Sequence, residues 1–123
     1  MTALLIIVVS ANALFRAGVQ QILLPKTSTQ LRTVMLADGF TAANALMKTQ
    51  AARVLIIDDS LPAGVNLLRE VRLLLDTYAG VSVVLILQRP MPSLVQKMLS
   101  IGVRSILHKD DVLEQTLTHT IQL

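Results

Sequence analysis

Three unbroken apolar runs, Leu4–Val9, Val54–Ile57 and Val83–Leu87, constrain this chain more than any other feature. A strand that faces water on one side alternates polar and apolar residues. A strand covered on both sides reads as a continuous apolar, β-branched run, the pattern of a parallel sheet between helix layers. None of the three approaches the roughly 20 apolar residues that a membrane-spanning helix requires, so no membrane association is expected. The first run, followed by Ala11-Asn12-Ala13, imitates a signal peptide. No Lys or Arg precedes it, however, and its apolar stretch is short. Its recurrence reads better as three core strands, and a cytoplasmic location is expected.

Between these runs the apolar spacing turns helical. Asn12 is placed to cap a helix over Ala13–Leu24, with Leu14, Val19, Ile22 and Leu23 as its apolar stripe and Pro25 as its stop. Arg32–Leu36 reads as a short strand, Asp38-Gly39 as a turn and Thr41–Gln50 as a helix. Arg53–Ile57 is a strand ending at Asp58-Asp59; a loop through Pro62 leads to a helix over Val65–Leu75. Val81–Leu87 is the fourth strand and Ser93–Ile101 the fourth helix, closed by Gly102. Arg104–Leu107 and Val112–Leu123 complete the pattern as the last strand and the last helix.

A βα unit repeated five times within 123 residues implies right-handed crossovers and helices on both sheet faces. The expected fold is α/β, flavodoxin-like and doubly wound, (βα)5 with parallel strand order 2-1-3-4-5. Residues 1–123 then form one domain. In such sheets ligands bind beyond the carboxyl ends of the strands. That edge should carry Ser10-Ala11, Asp58-Asp59, Leu87-Gln88 and His108-Lys109.

Composition excludes several chemistries. With no Cys there is no disulfide, thiol nucleophile or Cys-based zinc site. Two His are too few for a His-based metal site without carboxylate help. The three aromatics, Phe15, Phe40 and Tyr78, do not make a base-stacking surface. Ser10–Phe15 has no Gly for a phosphate loop, and no nucleophile–base pair stands out, so neither an enzyme nor a flavodoxin-like cofactor binder is expected. Net charge is +3, yet no two Lys or Arg are adjacent, which points to solvated faces rather than a phosphate-tracking groove.

Four short motifs, in order and on the expected strand ends, carry a resemblance. Leu14-Phe15-Arg16-Ala17-Gly18, Ala37-Asp38-Gly39, Asp58-Asp59-Ser60-Leu61-Pro62 and His108-Lys109-Asp110 resemble the receiver domains of two-component response regulators of the LuxR/NarL type. The resemblance spans essentially the whole chain. It implies a CheY-like fold, Asp58 as the phosphoacceptor equivalent, Lys109 as its phosphate-site partner and Pro62 in the adjoining loop. It also implies that two acidic Mg²⁺ ligands should stand where Ser10 and Ala11 stand here. The switch hydroxyl and switch aromatic of the family correspond to Leu87 and Ile106. A Mg²⁺ ion uses one or two carboxylates plus phosphate oxygens, and Ser10 offers only a neutral hydroxyl. Two carboxylates at Ser10 and Ala11 would cancel two units of the +3 charge, so part of the basic balance records a lost metal pocket.

The expectation is an atypical receiver, or pseudo-receiver, that works without phosphorylation and without a cofactor, Mg²⁺ included. It would be the regulatory and dimerisation part of a LuxR-type transcriptional regulator. The alternative is a conventional receiver that accepts phosphate on Asp58 from a sensor histidine kinase. Asp58 itself reads either as a phosphoacceptor or as a strand-end carboxylate paired with Lys109 and open to water. Asp59 adds metal-ligating capacity beside Asp58 only if the strand has ended there, because adjacent strand residues point to opposite faces. Ser10 reads as an ordinary strand-end residue, His108 as surface or half-buried, and His119 as solvated.

Leu94, Val95, Met98, Leu99 and Ile101 make the fourth helix wider in apolar surface than one buried face needs. They read equally as core filler or as an interface. By the resemblance, homodimers form through helix 4, strand 5 and helix 5, or through helices 1 and 5. The last helix presents Leu113, Leu117 and Ile121. Other expected partners are a sensor kinase or a regulatory protein. DNA contact is expected only through a C-terminal domain beyond Leu123.

Overall fold

The three apolar runs become the centre of the sheet. In the computed structural model, which describes residues 4–24 and 32–111, strands β1 (Leu4–Val9), β2 (Arg32–Ala37), β3 (Val54–Asp58), β4 (Ser82–Leu87) and β5 (Ser105–His108) pair in the order β2-β1-β3-β4-β5. All four pairings are parallel, with Ile6 opposite both Val34 and Val54, and Leu55 opposite Val83. Strands β1, β3 and β4 are buried over nearly their whole length, as their unbroken apolar character requires. The edge strands carry Arg32 and Thr33 on β2 and Ser105 and His108 on β5.

The two-residue period of the strands divides the core in two. Ile7, Val9, Leu55, Ile57, Val83 and Leu85 point to one face. They meet α2 (Phe40–Thr49), α3 (Leu67–Thr77) and α4 (Pro92–Ser100) through Phe40, Met47, Val71, Leu74 and Met98. Ile6, Val8, Val54, Ile56, Val84 and Ile86 point the other way and meet α1 (Ala13–Leu23) through Val19 and Leu23.

Local chemistry fixes the helix ends. Asn12 caps α1 by accepting the Phe15 N–H at 3.0 Å, as its side chain suggested. Helix α3 starts at Leu67 rather than Val65, because Asn66 caps it by accepting the Arg69 N–H. Helix α4 starts at Pro92, whose missing N–H and fixed φ suit the first turn. Gly102 closes α4 at φ +107, a left-handed conformation that only glycine adopts cheaply, with its N–H donated to the Leu99 carbonyl.

One expectation is corrected and one left open is decided. Leu14 does not join the buried stripe of α1; it is 83% exposed. It lies five residues, or about 140° of helical turn, from Val19, whereas Phe15, Val19 and Leu23 fall at i, i+4 and i+8. On α4, Met98 is buried and Leu94, Val95 and Ile101 pack against the core, so most of the stripe is core; Leu99 alone stays half exposed. The stop at Pro25, the last helix over Val112–Leu123 and His119 lie outside the described residues. Among the described residues, no helix is long and apolar enough to cross a membrane.

The exposure contrast has a direct test. Ile56→Ala, in the middle of the central strand, should lower unfolding free energy by about 2–5 kcal/mol. Leu14→Ala should stay within about 0.5 kcal/mol of the parent. Urea denaturation followed by circular dichroism measures both.

Candidate functional site

Every strand of a parallel sheet ends on the same edge, and here that edge gathers the ion pairs found among the described residues. Asp58 is the last residue of β3 and is fully buried, at 0% exposure. A buried carboxylate has to be given donors and a counter-charge. The donor comes from the end of β1: the Ser10 hydroxyl donates to Asp58 Oδ2 at 2.7 Å. The counter-charge comes from the end of β5, with Lys109 Nζ 2.8 Å from Asp58 Oδ1. That second contact is an ion pair by distance; Oδ1 accepts no aligned hydrogen bond.

Ser10 is itself fully buried and completely engaged. Its hydroxyl accepts the Asn12 N–H at 3.0 Å, its N–H donates to the Ala37 carbonyl and its carbonyl accepts from Arg16 Nη1 at 2.6 Å. The Ala11 N–H donates to the Ser60 carbonyl at 2.8 Å, which ties the turn after β1 to the loop after β3. Ala11 otherwise contributes only an exposed methyl group.

Asp59 follows the end of β3, so the alternation that would send it to the opposite face no longer applies. Its Oδ1 lies 3.4 Å from Lys109 Nζ, and its Oδ2 accepts the Gln88 N–H at 2.8 Å. Three strand ends are therefore joined through one carboxylate. Lys109 also lies 5.4 Å from the Phe15 ring centroid, within cation–π range.

Burial pulls the Lys109 pKa down, but the Asp58 carboxylate, reinforced by that of Asp59, outweighs it. The net effect holds the ammonium above its ordinary 10.5. A group whose pKa is raised on folding stabilises the fold fully below its unfolded value. It loses that contribution as pH rises through the folded value.

The remaining positions fall as follows. Leu87 is buried at the end of β4, and Ile106 is half-buried against the larger core cluster. Pro62 is exposed in the loop, its carbonyl accepting the Val65 N–H at 3.3 Å. His108 is half-buried; its Nδ1 accepts the Asp110 N–H at 3.1 Å, which needs that nitrogen unprotonated. Two expectations change here. Asp58 is not open to water, because the Ser10 and Lys109 side chains seal it. Ser10 is not an ordinary strand-end residue, because it is the hydrogen-bond donor of that buried carboxylate. Phe15 and Arg16 had carried only motif weight, and no local signal placed them over the strand ends.

Solved structures with the same architecture include the isolated receiver domain of RcsB from Salmonella enterica serovar Typhimurium in the presence of phosphomimetic BeF₃⁻ (15% identity, 98% of this chain and 87% of that one, TM-score 0.84). The signal receiver domain of an HD domain-containing protein from Pseudomonas fluorescens Pf-5 is also similar (20% identity, 98% and 93%, TM-score 0.84). So is a LuxR family DNA-binding response regulator from Silicibacter pomeroyi (20% identity, 98% and 89%, TM-score 0.80). No family model and no curated protein matches the sequence. The chain has the CheY-like receiver fold, and at these identities the likeness speaks for the fold alone.

Two outcomes follow from the buried pair. Ser10→Ala leaves Asp58 Oδ2 without its donor and should cost about 1–3 kcal/mol in urea denaturation. In the parent, the contribution of Lys109 to stability should be fully present below pH 10.5 and be lost as the pH rises through its raised folded value. In Lys109→Met, that part of the alkaline decline should be missing.

Proposed function

We propose that this chain is an atypical receiver module that regulates without aspartyl phosphorylation, as the regulatory and dimerisation part of a LuxR-type transcriptional regulator. The observation that carries the reading is the Ser10–Asp58 hydrogen bond in a fully buried setting. Where the family pattern has an acidic metal ligand, this chain has a hydroxyl whose only proton is given to the acceptor carboxylate.

A divalent cation does not suit this donor set. Ala11 has no ligand atom, the Asp59 oxygens face the Gln88 amide and the Lys109 ammonium, and the Arg16 guanidinium sits on the Ser10 carbonyl. Among the described residues, no group of three or more acidic or His side chains could hold a metal. Phosphoryl transfer to a carboxylate relies on positioning and on cations that stabilise spread negative charge. With Ser10 and Ala11 at the metal positions, and with Leu87 and Ile106 apolar at the switch positions, little is left to drive or read the transfer. The site acts instead as a fixed brace, and signalling passes through surfaces.

In this reading the module is cytoplasmic and homodimeric. It contacts its copy through α4, β5 and the helix after them, or through α1 and that helix. DNA contact belongs to a separate part of the regulator, and a regulatory protein replaces the sensor kinase as the input. One feature favours the conventional alternative, a phospho-receiver loaded by a sensor histidine kinase: Asp58 Oδ1 retains no aligned donor while Lys109 stands beside it.

Titration with beryllofluoride and millimolar Mg²⁺, followed by amide NMR, separates the two. The expected result is no shift localised to Ser10, Asp59 and Lys109. Site-local shifts would overturn the proposal and establish the conventional receiver. In the complete regulator, Asp58→Asn should leave transcriptional output intact; loss of output in a folded variant would count against phosphorylation independence.

A further inference from the structure

The amino edge of the sheet, opposite Asp58, carries a cavity of about 560 Å³. It lies between the turn from α2 into β3 and the turn from α3 into β4. Its size is that of a small-molecule site. The apolar wall is made by Met47, which is buried, with Ala52 and Val81 packed against the larger core cluster. The Tyr78 ring, half-buried against the same cluster, adds an aromatic side.

The polar groups of the cavity are of two signs. Arg53 is the one charged residue among the described residues that line it, and it makes no ion pair among them. The Arg53 backbone is pinned by the sheet. Its N–H donates to the Leu5 carbonyl at 3.1 Å, and its carbonyl accepts the Ser82 N–H at 2.8 Å. The opposite sign comes from the helices. Helices α2 and α3 both finish at the cavity, through their cap residues Gln50 and Tyr78. The last carbonyls of a helix have no donor within it, and together they carry about half a unit of negative charge. Lys48 offsets this in the last turn of α2, but the last turn of α3 has no basic residue. The cavity is therefore bipolar: a lone anion would face the carbonyl ends, and a lone cation would face Arg53.

We propose that this cavity binds a free α-amino acid with a large apolar side chain, its carboxylate on Arg53, its ammonium on the carbonyl end of α3 and its side chain against Met47, Val81 and the Tyr78 ring. A zwitterion satisfies both signs at once, and the apolar wall gives the side chain a surface that excludes water. Such a ligand bridges the two turns and gives the module a small-molecule input remote from Asp58. The site goes beyond the reading of the carboxyl edge and does not depend on it.

L-Phenylalanine is the probe, titrated into the 123-residue protein and followed by amide NMR. Saturable shifts should be confined to residues 47–53 and 77–81, around the cavity. 3-Phenylpropionate lacks the ammonium and phenethylamine lacks the carboxylate; each should bind at least about tenfold more weakly. Arg53→Met should weaken L-phenylalanine binding by about tenfold and leave phenethylamine unchanged. Ala51→Trp places bulk in the cavity from an exposed position and should abolish binding, which keeps the test available if the Arg53 variant does not fold. The proposal is overturned if L-phenylalanine gives no saturable shifts at the cavity, if either single-charge analogue binds as tightly, or if Arg53→Met titrates like the parent. The beryllofluoride experiment reads the other edge of the sheet, so each reading stands or fails separately.

Discussion

A carboxylate buried at the end of a central strand is the constraint around which the functional edge is arranged. Asp58 has no access to water, so its charge depends on what the neighbouring strand ends bring to it. Ser10 brings a proton donor from β1 and Lys109 an ammonium from β5. Each partner is held in turn. Ser10 is fixed by Asn12 and Arg16, and Lys109 by Asp59 and the Phe15 ring. Removing one partner from such a buried pair costs more than the pair contributes, because the other is left uncompensated.

The sheet makes this arrangement possible. In a parallel sheet all strands run the same way, so residues far apart in sequence arrive at one edge. Ser10 and Asp58 are 48 positions apart, and Asp59 and Lys109 are 50. The apolar runs of β1, β3 and β4 hold the strands in register through two core clusters, one on each face. Close packing of those clusters leaves the strand ends little freedom to separate. The loops therefore start from fixed points, and short side chains such as Ser10 reach their partners.

The fold is shared with receiver domains that differ from this chain at four residues in five or more. A hydroxyl and a methyl group follow β1, a second carboxylate follows Asp58, and the aliphatic Leu87 ends β4. Here the chain's own side chains close the edge, with Ser10 and Lys109 on Asp58 and the Gln88 amide and Lys109 on Asp59. Function in such folds resides in the grafted site rather than in the scaffold.

The strands, their parallel order and the N-cap of α1 were legible in the amino-acid sequence, because each depends on local chemistry. Continuous apolar runs report burial on two faces, Asn12 reports a cap and Gly102 a left-handed turn. The identities on the carboxyl edge were legible for the same reason: the order of elements alone sends Ser10, Asp58 and Lys109 there. Only tertiary structure decided what they do. The exposure of Leu14 depends on where α1 meets the sheet, and the burial of Asp58 on how closely β1 and β5 close over β3. Ser10 serves as a donor, and Asp59 turns toward Lys109, because distant backbone ends meet within hydrogen-bonding distance. Periodicity along one segment carries no information about such distances, whereas the packed sheet sets them.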